Sequence, residues 1–318
     1  MFAKLPNFRS PVASNDFWDT ITVPNFPETV MKQLAVLPLL LASLAFAQEA
    51  EITFSSSEIE PGIFMVEARG GFGGGNMAVI VGENHVAMID DGVPPLAETL
   101  LAHVTETAGR PIDFMVNTHV HGDHAGGNAY FAESGTVVFA HDNIRKRLLE
   151  DSSGAGGPGG LPVITFGDGV TFHLGNIEAL VRHLPKAHTD GDAVVYFPGA
   201  NVIHTGDILF HGIFPYIDLD SGGTVDGYIA AQQKICFTAD DATKIIPGHG
   251  SLTDKAGMQA DIDMLIDSRA LVKALVDQGM SVDEVLEANP LAKYDSFSWD
   301  FITTERMTRT LVRSLTSE

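Results

Sequence analysis

Thr118-His119-Val120-His121-Gly122-Asp123-His124 sets three imidazoles and a carboxylate within six residues. It follows directly on the apolar run Ile112-Asp113-Phe114-Met115-Val116. An apolar strand that runs into a ligand-dense turn puts metal-binding side chains on the loop at a strand's end. Twelve histidines spread over 318 residues would seldom fall into H-x-H-x-D-H by chance. Matching ligands also recur downstream, so a merely solvated His-rich turn is the poorer reading.

Three further candidates share the strand-then-turn grammar. His188 lies in Pro185-Lys186-Ala187-His188-Thr189-Asp190-Gly191-Asp192, Asp207 in His204-Thr205-Gly206-Asp207-Ile208-Leu209-Phe210, and His249 in Ile245-Ile246-Pro247-Gly248-His249-Gly250. Each offers a nitrogen or oxygen ligand at the edge of a sheet, where several strand ends can converge. The loop Gly70-Gly71-Phe72-Gly73-Gly74-Gly75-Asn76 is glycine-rich like a phosphate loop. It fits no G-x-G-x-x-G frame and no Lys-Ser/Thr follows it, so it reads as a flexible hairpin tip carrying one aromatic, Phe72.

Short apolar runs predict strands at 63–66, 77–81, 86–89, 112–116, 136–140, 170–174, 177–182, 193–197 and 200–204. Helical spacing covers 94–108, with Pro94-Pro95 at its start and Gly109 at its end. Further helices are expected after Gly126-Gly127-Asn128 and at 143–150, 225–237, 258–278 and 301–315. Ser281-Val282-Asp283-Glu284 is a capping box. Residues 151–160 are Gly/Ser-rich and read as a mobile loop. Strands and helices, then strands and helices again, predict an α+β chain of two packed sheets with helices outside.

The set H-x-H-x-D-H, H-T-D, T-G-D and P-G-H-G, in that order, resembles the metallo-β-lactamase superfamily of metal-dependent hydrolases. The resemblance runs from about residue 63 to about residue 250. It implies an αββα four-layer sandwich, two mixed sheets face to face, with a dinuclear metal site at one sheet edge. On that resemblance His119, His121 and His188 match the ligands of a first metal, and Asp123, His124 and His249 those of a second. Asp207 matches the aspartate that bridges both, and Asp90 a carboxylate that orients the ligand loop. Imidazole and carboxylate donors without thiolate suit two Zn²⁺ and also admit Fe or Mn. Two metals about 3.5–4 Å apart would share a hydroxide. Asp123 would steer it onto a carbonyl carbon. His121 separates this chain from the similar oxygen-reducing di-iron branch, which carries glutamate there.

The resemblance implies a cyclic amide or ester as small-molecule substrate, β-lactam-like or lactone. One β-lactamase subclass that resembles this region has cysteine at the Asp207 position and a carboxylate-binding lysine three residues later, where this chain has Phe210. Any β-lactamase activity is therefore expected to be weak or promiscuous. Asp207 brings the chain closer to glyoxalase II-like thioesterases and lactonases. An iron-dependent oxidoreductase like the persulfide dioxygenases, and a periplasmic metal-binding protein without turnover, are the remaining readings. Phe72, His211, Phe214 and Tyr216 are candidate pocket residues. His85, His103, His141, His173, His183 and His204 are expected to serve packing or the surface.

Nineteen basic residues face 41 acidic ones, a formal net charge of −22, which argues against nucleic acid as a partner. The single cysteine, Cys236, allows no intramolecular disulfide and reads as a small buried hydrophobe in a helix. Met31-Lys32-Gln33 opens a short basic start, an apolar run to Leu44 and an Ala45-Phe46-Ala47 site. These are the parts of a secretory signal peptide, too short for a membrane span. Residues 1–30 are then an upstream extension, 31–47 the signal, and 48–318 one hydrolase domain with a helical C-terminal part. The expected location is periplasmic or secreted, with no stable membrane span after cleavage. The residues leave the oligomeric state open.

Overall fold

The computed structural model describes residues 51–150 and 159–316. The expectations for 1–30 and 31–47, and most of the loop at 151–160, lie outside the described residues.

The first sheet has seven strands: β1 Thr53–Glu60, β2 Ile63–Arg69, β3 Met77–Val81, β4 Val86–Ile89, β5 Phe114–Val116, β6 Val137–His141 and β7 Ile164–Phe166. They lie in chain order, antiparallel from β1 to β4 and parallel from β4 to β7. Helices α1 Ala97–Ala108, α2 Asn128–Glu133 and α3 Asp142–Glu150 belong to this half. The second sheet runs β13-β12-β11-β10-β9-β8, with β8 Gly169–His173, β9 Glu178–His183, β10 Ala193–Phe197, β11 Val202–His204, β12 Lys244–Ile246 and β13 Thr253–Asp254. It too is mixed, since β11 and β12 are parallel while the other pairs are antiparallel. Strands β1, β7 and β13 are not announced by the residues; β1, with the Ser-rich sequence TFSSSEIE, shows little apolar patterning, and β7 and β13 are only three and two residues long.

Successive side chains of a strand face opposite ways, and the burial follows that rule. Ile63, Met65, Ala78, Ile80, Ala87 and Ile89 point between the sheets, against Val181, Ala193, Val195 and Phe197 of the second sheet. Val66, Met77, Val79, Val86 and Met88 point outward onto Leu100 and Val104 of α1 and Phe131 of α2. On the far side Val194, Ile203 and Ile245 meet Ala231 and Ile235 of α4 Val225–Thr238 and Met258 and Ile262 of α5 Lys255–Val276. Strands buried on both faces read as unbroken apolar runs, which is why β3 and β4 show no polar alternation. The result is the four-layer αββα sandwich.

Local rules set the helix ends. Gly109 closes α1 in the left-handed region at φ +69°. Asp254 caps α5 through Gly257 N–H, so that helix starts three residues before its apolar pattern does. Ser281 and Glu284 form the reciprocal capping box of α6 Val282–Ala288. The last helix, α7 Thr304–Thr316, buries Met307, Leu311 and Val312 with Val272 of α5 and Val285 of α6. Cys236 is buried in α4. Among the described residues no helix is long and apolar enough to cross a membrane.

Candidate metal centre

Seven side chains gather where the strands of both sheets end. His119, His121, Asp123 and His124 occupy the loop after β5, His188 the turn between β9 and β10, Asp207 the turn after β11, and His249 the turn after β12. Their donor atoms form three overlapping groups, His119/His121/His188/Asp207, His119/Asp123/His124 and His124/Asp207/His249, each within 4.8 Å. Asp207 lies between two sets of imidazoles. Its Oδ2 is 3.6 Å from His119 Nε2 and 3.5 Å from His188 Nε2, while Oδ1 is 3.0 Å from His124 Nε2 and 3.5 Å from His249 Nε2. Asp123 Oδ2 is 3.3 Å from His249 Nε2.

The outward hydrogen bonds fix how four of these imidazoles present themselves. His124 Nδ1–H donates to Asp90 Oδ2 at 2.8 Å. His188 Nδ1–H donates to the Tyr216 carbonyl at 2.7 Å. His121 Nε2–H donates to Asp218 Oδ2 at 2.9 Å. Thr118 Oγ1 donates to Asp90 Oδ2 at 2.7 Å, so it accepts from His119 Nδ1–H at 3.1 Å. A neutral imidazole has one donor and one bare nitrogen. The other nitrogens, His119 Nε2, His121 Nδ1, His124 Nε2 and His188 Nε2, therefore all face inward, and those of His119, His124 and His188 lie within 3.6 Å of Asp207. His121 Nδ1 and His188 Nε2 stand only 2.8 Å apart. Two lone pairs at that distance repel unless a cation lies beside them. His119 Nε2 and Asp207 Oδ1 are buried without a hydrogen-bond partner, the condition of groups that wait for a metal. The residues fit a metal centre.

The electrostatics agree. Burial, then the neighbouring imidazole of His121, pushes His188 down to about 4, so it stays neutral and ready to ligate. Burial, then His124, likewise holds His119 well below the usual range. Burial alone would depress His124 and His249 too. The carboxylates of Asp207 and Asp123 outweigh it, holding His124 well above its usual value and His249 at about 9. The field that draws a proton there draws a cation equally. Burial opposes the charge on Asp207, yet His124, His249 and His119 keep its carboxyl well below the ordinary range.

The loops that carry these ligands are themselves anchored. Asp90 sits at the end of β4 with φ +59° and accepts from Thr118 N–H at 2.7 Å besides its two side-chain partners. Asn76 ties the glycine-rich loop to the His249 turn, donating to Pro247 O at 2.9 Å and Gly250 O at 2.8 Å. Gly75 has a specific reason to be glycine, since a Cβ there would collide with the His124 ring. Asp192 accepts from Thr189 N–H and Oγ1, which shapes the His188 turn.

Beside the cluster lies a cavity of about 780 Å³. His121, Asp123, Asp207, Asp218 and His249 line its polar side, and Phe72, Val93, Phe210, Tyr216, Trp299 and Phe301 much of the rest. Phe72 and Tyr216 are thus at the cavity. Phe214 is not: it is fully buried among Ile217, Tyr228 and Leu311. His211 turns toward α5, with Nδ1 2.7 Å from Asp261 Oδ2, and does not line the cavity either. Both follow Asp207 closely in the chain, but the backbone leads their side chains into the helical layer. His141 and His183 stack on each other with centroids 3.7 Å apart, and His204 is buried with Nε2 3.2 Å from the Asn76 carbonyl. Residue reasoning missed Asp218, Trp299 and Phe301. Asp218 had only the acidic, aromatic run Tyr216-Ile217-Asp218-Leu219-Asp220 as a signal, and the other two stand far down the chain without a motif.

Residues 70–249 match the family described as "Metallo-beta-lactamase superfamily". The chain is 24% identical over 253 residues to "Metallo-beta-lactamase type 2" of Elizabethkingia meningoseptica, covering 77% of this chain and 98% of that one. It is 23% identical over 235 residues to "Metallo-beta-lactamase IND-1" of Chryseobacterium indologenes, covering 72% and 95%. Among solved structures it is similar to a metallo-beta-lactamase from Pontibacter korlensis, TM-score 0.57 at 20% identity over 68% of this chain and all of that one. It is also similar to the DIM-1 metallo-beta-lactamase, TM-score 0.56 at 18% identity over 68% and 99%. At these identities the structural likeness speaks to the fold alone.

Proposed function

The chain belongs to the metallo-beta-lactamase superfamily, and from that premise we propose that this metal-dependent hydrolase holds two zinc ions and opens a cyclic amide or ester. His119, His121 and His188 hold one ion, Asp123, His124 and His249 the other, and Asp207 stands between them. The observation that carries this reading is the convergence of imidazole nitrogens from His119, His124, His188 and His249 on the buried Asp207 carboxylate at the cavity. Nitrogen and oxygen donors without thiolate support zinc. When bound, such ions supply an acidified water and polarise the substrate's carbonyl.

The protein's own groups do the rest. Asp123 is a carboxylate of the cluster that opens to the cavity, with its side chain 22% exposed. His124 and His249 keep Asp123 ionised against its burial, so its carboxylate accepts a hydrogen bond from the attacking water and aims that water at the carbonyl carbon. Asp218, through His121 Nε2, and Asp90, through His124 Nδ1, keep the imidazole rings turned. Phe210 occupies the place of the lysine that anchors the substrate's carboxylate in the β-lactamases it resembles, which favours a lactone or neutral ester over a β-lactam. Export, through the signal at 31–47, belongs to the same proposal and brings the enzyme to the periplasm or beyond.

The test is a hydrolysis panel with zinc-loaded protein: nitrocefin, an acyl lactone, an acyl thioester and an aryl ester. Lactone or ester turnover at least tenfold above nitrocefin is expected, abolished by chelation and restored by zinc. Native iron with sulfite production and no hydrolysis would overturn the proposal.

A further inference from the structure

An unbroken arc of aromatic rings joins one edge of the metal cluster to the other. From His121 it runs to Tyr216 (ring centroids 5.5 Å), then to Phe301 (5.4 Å), Trp299 (5.7 Å) and back to His249 (6.1 Å). Phe210 backs it, 4.8 Å from His249 and 6.2 Å from Trp299. Trp299 and Phe301 lie beyond residues 70–249, the stretch that matches the family. Their segment is fastened to the core: Trp299 Nε1–H donates to the Phe214 carbonyl at 2.9 Å, and Phe214 N–H to the Phe297 carbonyl at 2.8 Å. Phe301 nevertheless remains 46% exposed at the cavity. Arg306 holds it from behind, its guanidinium 4.0 Å from the Phe301 ring centre and 5.4 Å from that of Tyr216, while Nη1–H donates to the Phe301 carbonyl at 2.9 Å.

A soluble protein that keeps large aromatic side chains at the mouth of a cavity leaves apolar surface for a ligand to cover. We propose that Trp299, Phe301 and Tyr216 form a subsite for an apolar acyl or aryl group of the substrate, and that Arg306 is a positioning residue for that wall. The inference rests on the hydrolase reading and adds the substrate class: esters, lactones or thioesters with a medium-length aliphatic or aryl substituent. A short acyl group leaves the rings uncovered. A longer one is drawn in by burial worth about fourfold in binding per methylene.

Two measurements test it. With zinc-loaded full-length protein and p-nitrophenyl esters from acetyl to octanoyl, kcat/KM should climb by about fourfold per methylene over the shorter chains. Trp299→Ala with Phe301→Ala should flatten that climb at unchanged zinc content. Arg306→Gln should raise KM for the octanoyl ester, with kcat within about twofold, as loss of ring positioning demands. Independently of turnover, octanoate should saturably shift the fluorescence of Trp299 in a Trp18→Phe background while acetate does not; Trp18 and Trp299 are the only tryptophans. Equal responses to octanoate and acetate, or a chain-length dependence that survives the double substitution, would overturn the subsite. Absence of hydrolysis from every ester and lactone would instead defeat the hydrolase reading, and the fluorescence titration would still decide the subsite.

Discussion

Asp90 Oδ2 lies 2.8 Å from His124 Nδ1, and both side chains are fully buried. The same carboxylate also takes the backbone and hydroxyl donors of Thr118. One residue at the end of β4 therefore fixes both ends of the ligand loop after β5. Asp90→Ala should leave three buried donors unpaired, at about 1–3 kcal/mol each. It should also weaken metal binding by about 10–100-fold. Thermal unfolding and chelator competition read the two losses; wild-type values in both would mean that the loop holds its shape without Asp90.

Asp218 plays the corresponding part for His121. Burial opposes its charge, but hydrogen bonds from His121 and Ser221 keep its carboxyl far below the usual range. Asp218→Asn should lower zinc affinity by about 10–100-fold while circular dichroism stays unchanged. Loss of helical signal instead would assign Asp218 to the fold.

The gathering of the seven candidate ligands was legible because these residues sit at strand ends and carry their own spacing. H-x-H-x-D-H, T-G-D and P-G-H-G each follow an apolar run, and the parallel pairs β4/β5 in the first sheet and β11/β12 in the second bring those ends together. What stayed hidden was contributed by side-chain direction and by distant chain. Phe214 and His211 stand near Asp207 in sequence but face the helical layer. Trp299 and Phe301 reach the cavity only because α7 and the segment before it fold back onto residue 214. No local pattern encodes that return. β1 was silent for a different reason: this edge strand buries only Phe54 and Ile59, too few to set an apolar pattern.

Gly75 offers a test of the glycine-rich loop as a built wall rather than a hairpin tip. A methyl group there would strike the His124 ring. Gly75→Ala should lose the metal held by Asp123, His124 and His249 and keep the one held by His119, His121 and His188. Metal analysis after gel filtration distinguishes that from a variant with both ions in place, which would show that His124 yields freely.

Export makes its own prediction. Expressed with a bacterial secretion system, the mature protein should begin at Gln48, after Ala45-Phe46-Ala47. N-terminal sequencing checks it; a mature chain that begins before Met31 would contradict it.

The central claim is that Asp207 and the histidines hold the ions on which turnover depends, and metal analysis with activity on one sample tests it most directly. Zinc-loaded parent protein should carry two ions per chain and hydrolyse its best substrate. His119→Ala combined with Asp207→Ala should carry neither ions nor activity while remaining folded by circular dichroism. A folded double variant that turns over substrate with its metal content intact would contradict the account.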